Sequence, residues 1–119
     1  TTAINLAAYL ARDRRVLLVD TDPQGNATSG LGIDRRGIDA DAYGVLVGDQ
    51  AVAQARVSTA VPGLHLVPAT INLAGAELAL YQKPDREHIL KRALAEVADE
   101  YDYILIDSPP SLGMITVNT

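Results

Sequence analysis

The sequence contains no cysteine. That excludes a disulfide framework, a thiolate zinc site and a cysteine nucleophile, and it fits a reducing compartment. Histidine occurs only at His65 and His88, which leaves no material for a multi-histidine metal centre. No apolar run approaches the roughly 20 residues of a membrane-spanning helix, and the chain carries no basic-then-apolar leader pattern. Positive charge is scarce as well. Ten Lys and Arg against 15 Asp and Glu give a formal charge of −5, so the chain as a whole does not draw in nucleic acid or anionic lipid. The pairs Arg14-Arg15 and Arg35-Arg36 are too small for a basic patch and read as solvated surface. There is no tandem repeat, low-complexity tract or interdomain linker.

What is present is the composition of an ordinary globular protein, with 48% apolar and 21% charged residues. The 119 residues amount to one domain or part of one. A complete domain of this length would bury roughly two-thirds of its unfolded surface. The chain begins at Thr1 and ends at Thr119 just after an apolar stretch, and both ends read as cut.

Hydrophobic periodicity sets the order of elements. In residues 1–12, Ile4, Ala7, Ala8 and Ala11 keep helical spacing and Leu6 and Leu10 widen the stripe, which predicts a largely buried helix. Residues 16–19 (Val-Leu-Leu-Val) form a short continuous apolar run that stops at Asp20, the pattern of a strand buried on both faces. Residues 20–26 then read as a polar loop with proline and glycine. Glycines at 30, 32, 37 and 44 interrupt the pattern beyond it, and short helices are expected near 41–48 and 50–57. Residues 64–67 predict a second strand, closed by Pro68, and 72–81 a helix. The clearest helix spans about 85–100, with Ile89, Leu90, Ala93, Leu94, Val97 and Ala98 as its apolar stripe. Glu87–Lys91 and Arg92–Glu96 are i,i+4 pairs on its wet side. Residues 103–106 predict a third buried strand, and it too ends in an aspartate, Asp107. Strands alternating with helices predict an α/β fold with a parallel sheet and flanking helices.

In open α/β sheets the ligand sits beyond the carboxyl ends of the strands. Asp20, Asp22 and Asp107 are therefore expected to converge at one edge. Clustered carboxylates suit a hard cation such as Mg²⁺, which commonly accompanies nucleotide phosphates. A carboxylate that ends an apolar strand is also the position of a Walker B aspartate. A nicotinamide dehydrogenase is disfavoured, because no G-x-G-x-x-G follows the first visible strand. His65 reads as structural within its strand, and His88 as a surface residue of its helix.

Residues 16–32, VLLVDTDPQGNATSGLG, resemble the segment after the second strand of the ParA/Soj partitioning ATPases. Residues 101–113, YDYILIDSPPSLG, resemble the Walker B and switch II segment of the same family, and 68–77, PATINLAGAE, a stretch between them. The related MinD branch usually lacks the P-Q-G-N continuation. The start, Thr1-Thr2-Ala3-Ile4-Asn5-Leu6, resembles the tail of the family's deviant Walker A pattern, K-G-G-x-G-K-T-T-T followed by x-x-N-L. The resemblance thus implies a partial ParA-type nucleotide-binding domain over 1–119, of P-loop NTPase type, with the first strand, the phosphate loop and the C-terminal part outside it. That first strand lies beside the Walker B strand in the family, so its loss would expose a sheet edge. The isolated chain is then expected to bind ATP weakly or not at all and to be inactive.

The resemblance also implies roles. Asp22 matches the aspartate that positions the attacking water. Asp107 matches the Walker B residue that holds Mg²⁺ directly or through water, with Asp20 supporting the metal. Thr1 and Thr2 stand at the helix start where N–H groups meet phosphate. Pro109 and Gly113 make switch II responsive to the γ-phosphate. Residues 24–32 are expected as a mobile loop after switch I. For the whole protein the resemblance implies ATP and Mg²⁺ as cofactors, an ATP-dependent homodimer, nonspecific DNA binding through regions mostly outside this chain, and stimulation by a ParB-type centromere-binding partner. It also implies a cytoplasmic, nucleoid-associated location with no membrane. Two alternatives stay open: a related ATPase that positions other cargo, and a non-catalytic interaction module if the chain is complete.

Overall fold

In a computed structural model, residues 2–22, 24–33, 38, 40–46, 51–70, 86–107 and 114–118 are described. The first helix, α1, runs Thr2–Leu10 and leads into β1, Val16–Asp20. Three short helices come next: α2 at Asn26–Gly30, α3 at Ala42–Leu46 and α4 at Val52–Ala55. Then come β2 (Val57–Ser58), β3 (Leu64–Val67), α5 (Arg86–Ala95), a single 3-10 turn (Ala98–Glu100), β4 (Tyr103–Asp107) and β5 (Met114–Asn118).

Among the described residues, five strands form one sheet in the order β2-β3-β1-β4-β5. Its centre is parallel: β1 pairs with β3 from Val16↔Leu64 to Val19↔Val67, and with β4 from Val16↔Tyr103 to Asp20↔Asp107. Every residue of β1 is buried, as its unbroken apolar run requires for a strand covered on both faces. Leu17, Val19, Val67, Ile104 and Ile106 face one layer, built from Ala42, Val45, Val52, Ala55, Leu94 and Val97. Val16, Leu18, Leu64, Leu66 and Leu105 face the other, where Ala7, Ala11 and Ala27 pack. The result is a three-layer α/β/α arrangement with α1 and α2 on one face and α3, α4 and α5 on the other. Burying a leucine such as Leu17 or Leu18 completely is worth roughly 1.5–3 kcal/mol each.

The parallel sheet read from the sequence is its three central strands, and both outer strands are added antiparallel. β2 pairs with β3 through Val57↔Leu66 and Ser58↔His65. The chain turns between them at Gly63, whose φ of 83° is left-handed. β5 pairs with β4 from Asp107↔Met114 to Tyr103↔Asn118. The outer edge of β4, which the resemblance assigned to another strand, is thus hydrogen-bonded to β5.

Three local expectations change. The stretch 24–32 is not loop throughout, because Gly25, at φ 66° and ψ 34°, caps a helix that Thr28 anchors from within. The helix expected over 85–100 ends at Ala95. Val97 leaves helical geometry at φ −116° and ψ 5°, and the acidic run Asp99, Glu100 and Asp102 opposes a continuing helix C-terminus. Residue 57, expected to close a helix, opens a strand instead, since β3 supplies backbone partners there. The helix expected at 72–81 lies outside the described residues.

Candidate active site

β1 and β4 end in register, so Asp20 and Asp107 stand side by side at the carboxyl edge of the sheet. Thr21 clamps the two strand ends together. Its N–H and its hydroxyl both donate to the Asp107 carbonyl, at 3.0 and 2.8 Å.

Asp20 is fully buried. Its Oδ1 accepts the N–H of Asp22 at 3.0 Å. Its Oδ2 accepts both the N–H and the hydroxyl of Thr28, at 2.9 and 2.6 Å. Burial pushes the Asp20 carboxyl above the usual carboxylate range, and the donors from Thr28 and Asp22 pull it part of the way back. The Thr28 hydroxyl in turn accepts the N–H of Ala69 at 2.9 Å. Its single proton is therefore committed to Asp20.

Asp22, 8% exposed, opens a tight turn. Its carbonyl accepts the Gly25 N–H at 2.8 Å, its Oδ1 the Gln24 N–H at 3.0 Å, and its Oδ2 the Asn26 side-chain amide at 3.2 Å. The carboxylate is thus held by an Asx-type turn and by the first residue of α2. Asp107 is half-buried. Burial, and then the charges of Asp20 and Asp22, raise its proton affinity.

The loop after β3 closes the same edge. Pro68 accepts the Ala42 N–H at 2.8 Å, and the Thr70 hydroxyl donates to Asp41 Oδ2. The other oxygen of Asp41 accepts the Gly44 N–H at 2.9 Å. The first turn of α1 packs against α2, since a Cβ at Gly30 would meet the Ile4 side chain.

The three aspartates singled out in the sequence are thus brought together. Thr2 opens α1. Thr1, Pro109 and Gly113 lie outside the described residues. Among the described residues, no three carboxylates or imidazoles converge closely enough to hold a metal ion alone. Mg²⁺ does not need that, because it is commonly bound by one or two carboxylates together with phosphates and water. The donor set fits such an ion. Asp107 carries a half-buried carboxylate in the field of two others, while both oxygens of Asp20 are taken up by protein donors.

His65 is at the other end of the sheet, in register with Leu17. Its Nδ1 lies 2.6 Å from the Tyr101 hydroxyl, which also accepts Arg56 Nη1 at 3.0 Å. It belongs to a structural cluster. The His88 side chain lies outside the described residues. Arg14 and Arg15 are exposed, as read, although Arg15 also faces Asp102 at 3.9 Å.

Sequence reasoning passed over Thr21, Asn26, Thr28 and the Asp41–Thr70 pair. Asn26 and Thr28 stand in the same string as Asp20 and Asp22, but nothing in their spacing says which way each hydroxyl or amide points. Asp41 and Thr70 are 29 positions apart and meet only through the fold.

A family profile described as "AAA domain" matches residues 1–119. The sporulation initiation inhibitor protein Soj of Bacillus subtilis is 54% identical over 99% of this chain, which covers 47% of that protein. The chromosome partitioning protein ParA of Myxococcus xanthus is 52% identical over 99% of the chain and 42% of its own length. The chain belongs to the ParA/Soj family of partitioning ATPases. It spans a little under half the length of these ParA/Soj relatives. Among solved structures it is similar to that of cobyrinic acid a,c-diamide synthase from Mycobacterium smegmatis with bound ATP analogue and magnesium. The TM-score is 0.81 at 46% identity, over 94% of this chain and 45% of that one. No helix among the described residues is long and apolar enough to cross a membrane.

Proposed function

We propose that the protein containing this chain is a Mg²⁺-dependent ATPase of chromosome or plasmid partitioning. Asp22 positions the attacking water, Asp107 holds the ion, and Asp20 supports the metal from behind while fixing the Asp22 backbone and Thr28. The observation that carries this reading is the register pairing of Asp20 with Asp107 on adjacent parallel strands, with Asp22 turned back beside them by Gln24 and Asn26. Phosphoryl transfer asks chiefly for positioning and charge stabilisation, and this edge offers fixed carboxylates for both. Bound Mg²⁺ would supply neutralisation of phosphate charge, with Asp107 as its protein ligand. Thr1 and Thr2 contribute backbone donors to the phosphates, and Pro109 and Gly113 belong to the segment that senses the γ-phosphate.

In its full length the protein forms an ATP-dependent homodimer, binds DNA nonspecifically and is stimulated by a ParB-type partner. It works in the cytoplasm on the nucleoid. The reading requires a K-G-G-x-G-K-type phosphate loop ahead of Thr1, and the upstream coding DNA shows directly whether one is there. The activity test uses the full-length protein. Mg²⁺-dependent ATP hydrolysis is expected, and Asp22→Ala should lower kcat roughly 100-fold or more while ATP still binds, as loss of a positioning group does. Hydrolysis unaffected by Asp22→Ala would refute the assignment.

A further inference from the structure

The buried hydroxyl of Thr28 ties the end of β1 to the segment just after β3. It donates to Asp20 Oδ2 at 2.6 Å and accepts the Ala69 N–H at 2.9 Å. Asp20 passes the constraint on, because its other oxygen holds the backbone N–H of Asp22 at 3.0 Å. Thr28 lies on α2, whose first residue, Asn26, donates to the Asp22 carboxylate at 3.2 Å. Asp22 is therefore located from both sides by groups that Thr28 fixes: its backbone through Asp20, and its carboxylate through the helix that Thr28 pins to the sheet. Thr28 is fully buried, and its side chain can reach neither nucleotide nor water from there.

We infer that Thr28 is a positioning residue for hydrolysis, setting the placement of Asp22 relative to the loop after β3. The inference rests on the reading of this edge as an ATPase site. Packing and positioning roles predict opposite orders of variants. Thr28→Val keeps the volume and loses the hydroxyl. Thr28→Ser keeps the hydroxyl and loses a methyl group. If the hydroxyl positions Asp22, Ser stays within about threefold of wild-type kcat and Val falls roughly 10- to 100-fold, with KM for ATP little changed, because misplacement of a reacting group by about 1 Å costs on that order.

The experiment measures kcat and KM for ATP in the full-length protein, wild type and both variants, with thermal unfolding to show that each is folded. If Val does not fold, Thr28→Cys takes its place, as a weak donor of similar size that should fall between Ser and Val. Rescue of kcat by Ser with a loss in Val or Cys at constant KM supports the inference. A Val or Cys variant that matches wild-type kcat, or a Ser variant that loses as much as Val, overturns it. A wild-type protein that hydrolyses no ATP overturns the functional reading, and the inference with it.

Discussion

Replacing Asp20 sets two large effects against each other. The carboxylate is fully buried, and that burial disfavours its charge strongly enough to raise its proton affinity despite three donors. Removing it relieves that cost. It also strips the acceptor from the N–H of Asp22 and from the N–H and hydroxyl of Thr28. A hydrogen bond to a charged group is worth about 1.5–3 kcal/mol, and each buried donor left unpaired costs about 1–3 kcal/mol. The Thr28 hydroxyl can turn to another acceptor, but the two backbone N–H groups cannot. Two stranded donors outweigh the relief, so Asp20→Ala should lose about 2–4 kcal/mol. In a protein of about 150–250 residues that is a fall in Tm of roughly 4–16 °C. Asp20→Asn is milder. Its oxygen can serve the two Thr28 donors, while its amide then confronts the Asp22 N–H, for a loss of about 1–2 kcal/mol. Urea unfolding of the three proteins without nucleotide gives the order directly. An Asp20→Asn protein more stable than wild type, or an Asp20→Ala protein within about 0.5 kcal/mol of it, would show that charge burial dominates and refute the reasoning.

Asp107→Asn should act in the opposite sense, because its carboxyl is raised by burial and by Asp20 and Asp22. A carboxyl whose folded pKa is raised contributes stability that is fully present below its unfolded value near pH 4 and is lost as the pH rises through the folded one. Without Mg²⁺ or nucleotide, the variant should therefore gain on wild type as the pH rises from about 4 toward neutrality, which unfolding curves at several pH values would record. Tyr101→Phe removes the hydroxyl shared by His65 and Arg56, while Arg56 keeps Glu100 at 3.0 Å. A loss of about 1–2 kcal/mol in chemical denaturation is expected, and no change would mean that the cluster is dispensable. At Gly63 a Cβ would meet the Ala11 carbonyl oxygen at 2.9 Å and the Arg14 carbonyl oxygen at 3.2 Å, in a backbone at φ 83°. Gly63→Ala should thus lower Tm by an amount equivalent to roughly 2–3 kcal/mol, and an unchanged Tm would show that the turn can rearrange.

The sequence alone determined the central strands. An unbroken apolar run such as Val16–Val19 can be satisfied only between two covered faces, and its strand-ending aspartate then has to emerge at the carboxyl edge. It also determined α1, and the string around Asp20 and Asp22 carried the family resemblance. Tertiary structure decided what no local pattern carries. The antiparallel outer strands form because β3 and β4 offer free backbone edges to whichever segment returns beside them. The helix expected to reach residue 100 stops at Ala95, where the chain has to turn back toward β4. The string around Asp20 does not say that one of its oxygens holds the Asp22 backbone and the other holds Thr28, which only the fold decides. The physical reason is the same in each case. Hydrophobic period fixes which residues are buried, whereas the partner of a buried hydroxyl or carboxylate depends on which loops the sheet brings together, as Thr28 meets Ala69 across 41 positions.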